Sequence, residues 1–280
     1  MKVFVVTGAT DGIGKAFIET CLEKSEMGKL RIIAIGRSKT KMEALLTREL
    51  PENIELEGHY GDFSVLANIK ELVERLKIDP FQINLIFHSM GILNPKKSKT
   101  NEGIEINFAT SFLSRFYLTK LLFENQMIGG DSVLVNIAAS SEKIPNYLKV
   151  NFANHEENDV RMGMAGHGQA QLANDLWVVE VAKRYHLSTI GIGPGIVKTN
   201  IRREIPNFFE YLIAPFFIFK TKTAKEVSNE LWNVIQKESP KKGNHRFYKD
   251  QKFFDGDPWI LSEKNRNNLW NYAEEKIKFL

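Results

Sequence analysis

Residues 3–15, Val3-Phe4-Val5-Val6-Thr7-Gly8-Ala9-Thr10-Asp11-Gly12-Ile13-Gly14-Lys15, narrow the folds open to this chain more than any other stretch. Val3 to Val6 form a short, continuous apolar run of the kind that is buried on both faces of a parallel sheet. Gly8, Gly12 and Gly14 follow as a tight turn, and from Ile13 onward the apolar residues fall at helical spacing. Strand, glycine turn and helix in that order make a phosphate site. Glycine lets the backbone approach a pyrophosphate closely, and the amino end of the following helix offers unpaired N–H groups and the positive end of its dipole. Thr10, Asp11 and Ile13 complete this turn and join the three glycines as candidate cofactor-binding residues. A turn that merely needs glycine for packing has the same look, so the rest of the chain has to supply the case.

A length of 280 residues with 43% apolar content fits one large α/β domain, 1–280, with a substantial core. Thirty-eight basic against 34 acidic residues leave a net charge of +4, a mild bias that suits an anionic cofactor. It does not point to nucleic acid, whose binders cluster Lys and Arg on one face. Cys21 is the sole cysteine, which excludes an intramolecular disulfide and a cysteine-based zinc cluster; no metal site is expected. No signal-like segment precedes the first strand and no run approaches the ~18 apolar residues of a membrane span, so a cytoplasmic protein in a reducing compartment is expected.

Further strands are read at 30–35, 54–60, 82–87, 132–137 and 187–192, with helices at 65–76, 102–124, from about 167, and at 224–235. This alternation predicts a doubly wound, Rossmann-type parallel sheet of about seven strands flanked by helices. No repeat, linker or second domain is visible.

The pattern T-G-x-x-x-G-x-G over Thr7–Gly14 resembles the short-chain dehydrogenase/reductase family rather than the commoner G-x-G-x-x-G fingerprint. The likeness extends through Gly193-Pro194-Gly195-Ile196-Val197-Lys198-Thr199, similar to the family's P-G-x-V-x-T stretch, and into a tail (Phe247-Tyr248, Asp257-Pro258-Trp259, Leu269-Trp270) resembling the retinol dehydrogenase and protochlorophyllide reductase branch. The resemblance implies that Pro194, Gly195 and Thr199 hold the nicotinamide, that Asp62 contacts adenine, and that Gly91 belongs to the cofactor loop. Arg37, at the carboxyl end of the second strand, suits a 2′-phosphate and argues for NADP(H). An arginine after a strand is also an ordinary surface residue.

Three departures from the family pattern, and one position that keeps it, bear on the chemistry. Where relatives read Asn-Asn-Ala-Gly, the chain has His88-Ser89-Met90-Gly91. The catalytic Ser position is Ala139, followed by Ser140 and Ser141, and a small backbone shift would bring a hydroxyl such as that of Ser140 into the site. The family's Tyr-x-x-x-Lys is His167-Gly168-Gln169-Ala170-Gln171, so His167 stands for the tyrosine and Gln171 for the lysine; Tyr147 is a poor alternative. Asn107 falls where the family places its helix-bending catalytic Asn.

A phenol near pKa ~10 needs a cationic neighbour to work at neutral pH, whereas an imidazole near ~6.5 does not. Tyr to His and Lys to Gln therefore make sense together as one re-tooled proton donor. Three readings stay open: an NADP(H)-dependent oxidoreductase reducing a small apolar or activated carbonyl, imine or enone substrate; a non-catalytic NADP(H)-binding sensor or scaffold; and a non-redox cyclase on the same fold. The resemblance also implies a homodimer through the long helices that begin near Asn107 and His167. Residues 208–219, rich in aromatics, are read as packing, with a pocket cap or membrane-surface contact as alternatives.

Overall fold

The apolar run at the amino terminus becomes β1 (Lys2–Thr7), with every residue from Val3 to Thr7 buried. The computed structural model describes the chain except for residues 25–27, 79–80, 97, 147–148, 153–162, 203–220, 239 and 279–280. Tyr147 and the aromatic stretch 208–219 lie outside the described residues. After β1 come α1 (Gly12–Glu23), β2 (Leu30–Gly36), α2 (Lys39–Leu46), β3 (Ile54–Tyr60), α3 (Leu66–Leu76) and β4 (Leu85–His88). The helix expected over 102–124 starts later, as α4 (Ile106–Phe108), widens into a π turn at Ala109–Leu113, and continues as α5 (Ser114–Glu124). Next are β5 (Val133–Ile137), α6 (Met164–Tyr185), β6 (Ser188–Gly193), β7 (Ile196–Lys198), β8 (Thr221–Thr223) and α7 (Ala224–Glu238). The chain closes with β9 (His245–Lys249), β10 (Lys252–Phe254), α8 (Pro258–Leu261) and α9 (Glu263–Ile277).

The main sheet runs β10-β9-β6-β5-β4-β1-β2-β3, and β7 pairs with β8 apart from it. Seven of its strands are parallel, as expected; an eighth, β10, pairs antiparallel with β9 at the edge. That hairpin was not read from the sequence. Its turn is made by Asp250 (φ 48°) and Gln251 (φ 63°), two consecutive left-handed residues whose twist suits a two-residue hairpin. Strand order reverses beside β1, between β2 and β4, and in open sheets of this kind ligands bind at the carboxyl edge of such a reversal.

Alternation along β1 divides the interior. Val3 and Val5 face a core with α3, α5, α6 and α9, and Phe4 and Val6 face one with α1, α2 and α7. On the second side the Phe17 ring of α1 stacks on Phe87 of β4 at 4.1 Å. Burial of each such side chain contributes about 1.5–3 kcal/mol, so both sheet faces are well anchored beneath the carboxyl edge.

The carboxyl-terminal helix α9 lies across α5 and α6. Trp270 meets Phe116 at 4.9 Å, Arg184 stacks over Trp270 at 4.5 Å, and the buried Arg266 donates to Glu180 at 2.9 Å. The helix pair through which the resemblance implies a homodimer thus carries contacts from the chain's own α9 on both members. Among the described residues no helix is long and apolar enough to cross a membrane.

Candidate active site

The turn between β1 and α1 is shaped by close approach to the loop after β4. Gly8 has φ +70°, and a Cβ there would lie 2.9 Å from Met90 N; a Cβ on Gly14 would lie 2.5 Å from Gly8 O. Neither position accepts a side chain without displacing backbone. Asp11 caps α1, accepting from Gly12 N at 2.8 Å, from Asn200 Nδ2 at 3.0 Å and from Lys41 Nζ. Burial opposes ionisation of Asp11, but these hydrogen bonds outweigh it and hold the carboxyl below its ordinary range. The N–H groups of Ile13 and Gly14, also at the amino end of α1, have no acceptor among the described residues. They are donors available to an anion at the positive end of the helix dipole.

Residues far apart in sequence meet at this turn. Thr199 lies against Gly12, 3.1 Å from where a Cβ would stand, and Thr10 lies closer still on Gly36 at the end of β2, at 2.6 Å. Asp11, Gly12, Lys15, Val197, Thr199 and Asn200 line part of a cavity of about 650 Å³ beside α1. Pro194 is half-buried, and Gly195 is exposed in the left-handed region at φ +71°. Arg37 follows β2, exposed, with no hydrogen bond or ion pair among the described residues. Lys41 is turned to Asp11, and Lys39 is 3.8 Å from Glu43. Asp62, exposed after β3, accepts from Ser64 N at 3.0 Å and Ser64 Oγ at 2.6 Å, fixing the turn into α3.

The altered loop 88–91 is built into the floor. His88 is fully buried between Thr7 (3.3 Å) and Thr119 (2.9 Å), and desolvation followed by the charge of Arg115 holds its imidazole well below the usual range. Its neutral ring ties β1 and β4 to α5. Thr7 Oγ1 in turn accepts from the N–H groups of Ser89 and Met90, at 3.2 and 3.3 Å. Gly91 lies against Arg115 and Ser111; a Cβ there would be 3.2 Å from Arg115 Nη2 and from Ser111 Oγ.

His167 sits in the first turn of α6 with its Nδ1 2.9 Å from Ile92 O. A carbonyl only accepts, so Nδ1 carries the proton and Nε2 presents a lone pair. Desolvation lowers the pKa of this imidazole below its usual 6.5; the Ile92 contact opposes the shift and the charge of Arg115 adds to it. Gln171 follows one turn later, half-buried, its amide without a partner among the described residues.

Two of the expected catalytic groups have their side chains engaged within the protein itself. Ser140 does not turn into the cleft: it is fully buried and donates to Asp175 Oδ1 at 3.2 Å, while Ala139 is the exposed residue of the pair. The tertiary partner sets this outcome beyond the end of β5, where Ser140 has φ 37°: turning it outward would strip the buried Asp175, whose carboxyl desolvation pushes up to about 7, of its hydroxyl partner. Asn107, also fully buried, precedes the π turn rather than lying in it. Its amide accepts from Asn94 N (2.7 Å) and donates to Asn94 O (3.0 Å), Glu105 (2.7 Å) and Gly163 O (3.1 Å). It clamps the loop after β4 to the start of α6.

Sequence reasoning missed the polar network beneath His167. Arg115, 2% exposed, donates through Nη1 to Asn136 Oδ1 (2.7 Å) and Ile137 O (2.6 Å), and through Nε to Met90 O (2.8 Å). Asn136 Nδ2 donates to Asn174 Oδ1 at 3.1 Å, and Asn174 donates to Ser111 O and Ala170 O, each at 2.8 Å. A signal existed. Phe108, Phe112, Arg115, Thr119 and Leu122 recur at three and four, which puts Arg115 on the inward stripe.

A family model described as short chain dehydrogenase matches residues 2–153. Retinol dehydrogenase 12 of Homo sapiens is 27% identical over 284 residues, covering 99% of this chain and 86% of that protein. Among solved structures, a short-chain dehydrogenase from Sphingobium yanoikuyae in complex with NADPH superposes with a TM-score of 0.61 at 16% identity, covering 86% of this chain and 87% of that one. A 4-hydroxyisoleucine dehydrogenase complexed with NADH gives 0.65, also at 16% identity, covering 94% and 100%. At such identities the superpositions speak to the fold alone, and between them they carry both forms of nicotinamide cofactor.

Proposed function

The chain belongs to the short chain dehydrogenase family, and from that premise we propose that it is an NADP(H)-dependent oxidoreductase of atypical active site, acting on a small apolar or activated carbonyl, imine or enone substrate. The observation that carries the reading is the half-buried His167 in the first turn of α6, with its Nδ1 proton committed to Ile92 O and its Nε2 left as a proton acceptor. The nucleotide fits the residues around the turn. The N–H groups of Ile13 and Gly14, without an acceptor among the described residues, suit its pyrophosphate, Thr199 beside Gly12 suits the nicotinamide end, and Arg37, without a partner among the described residues, suits a 2′-phosphate. When bound, the nucleotide supplies or accepts a hydride.

The protein's part is the proton. In the alcohol-to-carbonyl direction neutral Nε2 takes the hydroxyl proton; in the reverse direction the imidazolium returns it to the carbonyl oxygen. Gln171, on the same helix face, offers an uncharged amide to ribose or substrate. A substrate that takes hydride without a proton on oxygen uses His167 only as pocket wall. The non-catalytic binding protein is the second reading, favoured by Ala139 standing exposed where relatives have a hydroxyl. A reducing, cytoplasmic setting suits the lone buried thiol of Cys21.

NADPH should bind at least about tenfold more tightly than NADH, because Arg37 makes a charge-assisted contact to a 2′-phosphate that a hydroxyl does not return. Fluorescence titration of both nucleotides against the wild type and Arg37→Ala reads this directly, and the preference should collapse in the variant. Equal affinities in the wild type contradict the cofactor assignment. The reaction itself is tested by following NADPH absorbance with a panel of ketones, imines and enones; binding without turnover of any member returns the case to the second reading.

A further inference from the structure

Arg115 is a buried cation of the floor whose chemistry the proposed relay leaves unused. Burying a guanidinium costs several kcal/mol unless it is paired. Here the pairing is entirely with neutral acceptors: two backbone carbonyls, Met90 O and Ile137 O, and the amide oxygen of Asn136. Among the described residues Arg115 has no carboxylate partner, and burial brings its own pKa down to about 9. It therefore remains a cation at neutral pH, seated under the edge where β4 and β5 end. Selection for packing alone would favour an apolar side chain at this point of the 108–122 stripe.

We propose that Arg115 is a positioning residue of the site, supplying from beneath the floor the fixed positive charge that Gln171 does not supply on α6, and holding the Met90–Gly91–Ile92 strip to which His167 is bonded. The inference rests on His167 as the proton-transfer group. Its geometry is a short chain of contacts: the Arg115 fork on Met90 O, Arg115 Nη2 against Gly91, and Ile92 O on His167 Nδ1. Desolvation is the main cause that disfavours imidazolium at His167, and the like charge of the guanidinium adds to it in the direction that keeps Nε2 an acceptor. Other ionisable groups near this end of α6 are taken up elsewhere. Glu105 is bonded to Phe108 N, Asn107 and Gly163, and desolvation raises its pKa; Asp175, two turns along α6, faces Ser140 and feels Lys249. His88 lies under the same charge and is neutral.

The test needs no substrate. The His167 imidazole is titrated by NMR in the protein alone, its resonance assigned by its disappearance in His167→Phe. In Arg115→Met its pKa should rise by roughly half a unit or more, and in Arg115→Lys, which keeps the charge but not the fork, it should stay near the wild-type value. An unchanged pKa in Arg115→Met, or equal shifts in both variants, overturns the proposal. If Arg115→Met does not fold, Arg115→Gln, which still donates to a carbonyl, is read by the same criteria. A wild-type His167 pKa at or above 6.5 overturns it without any variant. Because the readout is a titration, absence of turnover would defeat the oxidoreductase reading and leave this result standing.

Discussion

His167→Phe is expected to lower turnover by about 10²-fold or more on a substrate that exchanges a proton at oxygen, while NADPH affinity changes little. Phenylalanine keeps an aromatic of similar bulk but has no atom to carry the proton and no donor for Ile92 O, whose bond from Nδ1 is 2.9 Å in the native chain. General acid–base help is worth typically ~10²–10⁴-fold, which sets the size of the loss; orientation by the cofactor site is untouched. Steady-state kinetics paired with nucleotide titration measure both parts. An activated substrate that accepts hydride unaided should barely register the change. A fall in NADPH affinity matching the fall in turnover would mean that His167 holds nucleotide and transfers no proton.

Gly14→Val is expected to abolish NADPH binding in a protein that remains folded by circular dichroism. Even the first carbon of the new side chain would lie 2.5 Å from Gly8 O and would also meet Ser89 Oγ, so the β1–α1 turn has to open. Overpacking of this sort costs about 1–3 kcal/mol, too little to unfold a sheet with a full core on each face, but it moves the Ile13 and Gly14 N–H groups that suit the pyrophosphate. Thermal melts with and without NADPH read the outcome: a stabilised wild type and an indifferent variant. Stabilisation of the variant by NADPH would put the pyrophosphate elsewhere.

Much of the fold is legible because each strand carries its own mark. Val3–Val6 and Leu30–Ile35 are continuous apolar runs, and Gly8, Gly12 and Gly14 announce the turn between strand and helix. The β9–β10 hairpin is less visible because its turn, Asp250-Gln251, lacks the glycine that usually marks left-handed residues. Within the site, His167 and Gln171 are fixed by local spacing on one helix, and the structure keeps them on it. Ser140 differs from its expectation because sequence proximity to Ala139 says nothing of the partner on the other side; Asp175, 35 residues on, accepts its hydroxyl. Asn107 is drawn into the loop clamp in the same way, by Asn94 and Gly163. The Arg115 network joins its own helix to three other segments, the loop after β4, β5 and α6, and only the inward stripe of that helix hints at it. Polar residues buried by tertiary contact leave little trace in a one-dimensional pattern.

The most direct measurement is the pH dependence of NADP⁺ reduction by the wild-type protein with a panel of small apolar alcohols. Proton acceptance needs neutral imidazole, so the rate should rise as pH climbs through the His167 pKa, which desolvation and Arg115 hold below 6.5, and should then be level through neutral pH. In the opposite direction, carbonyl reduction needs imidazolium and should fall as pH rises through the same point. Alcohol-dependent NADPH formation with that profile, lost in His167→Phe, is the expected result. No alcohol-dependent NADPH at any pH from a protein that binds the nucleotide, or a rate that ignores pH in this window and survives His167→Phe, would contradict His167 as the proton relay of an NADP(H)-dependent oxidoreductase.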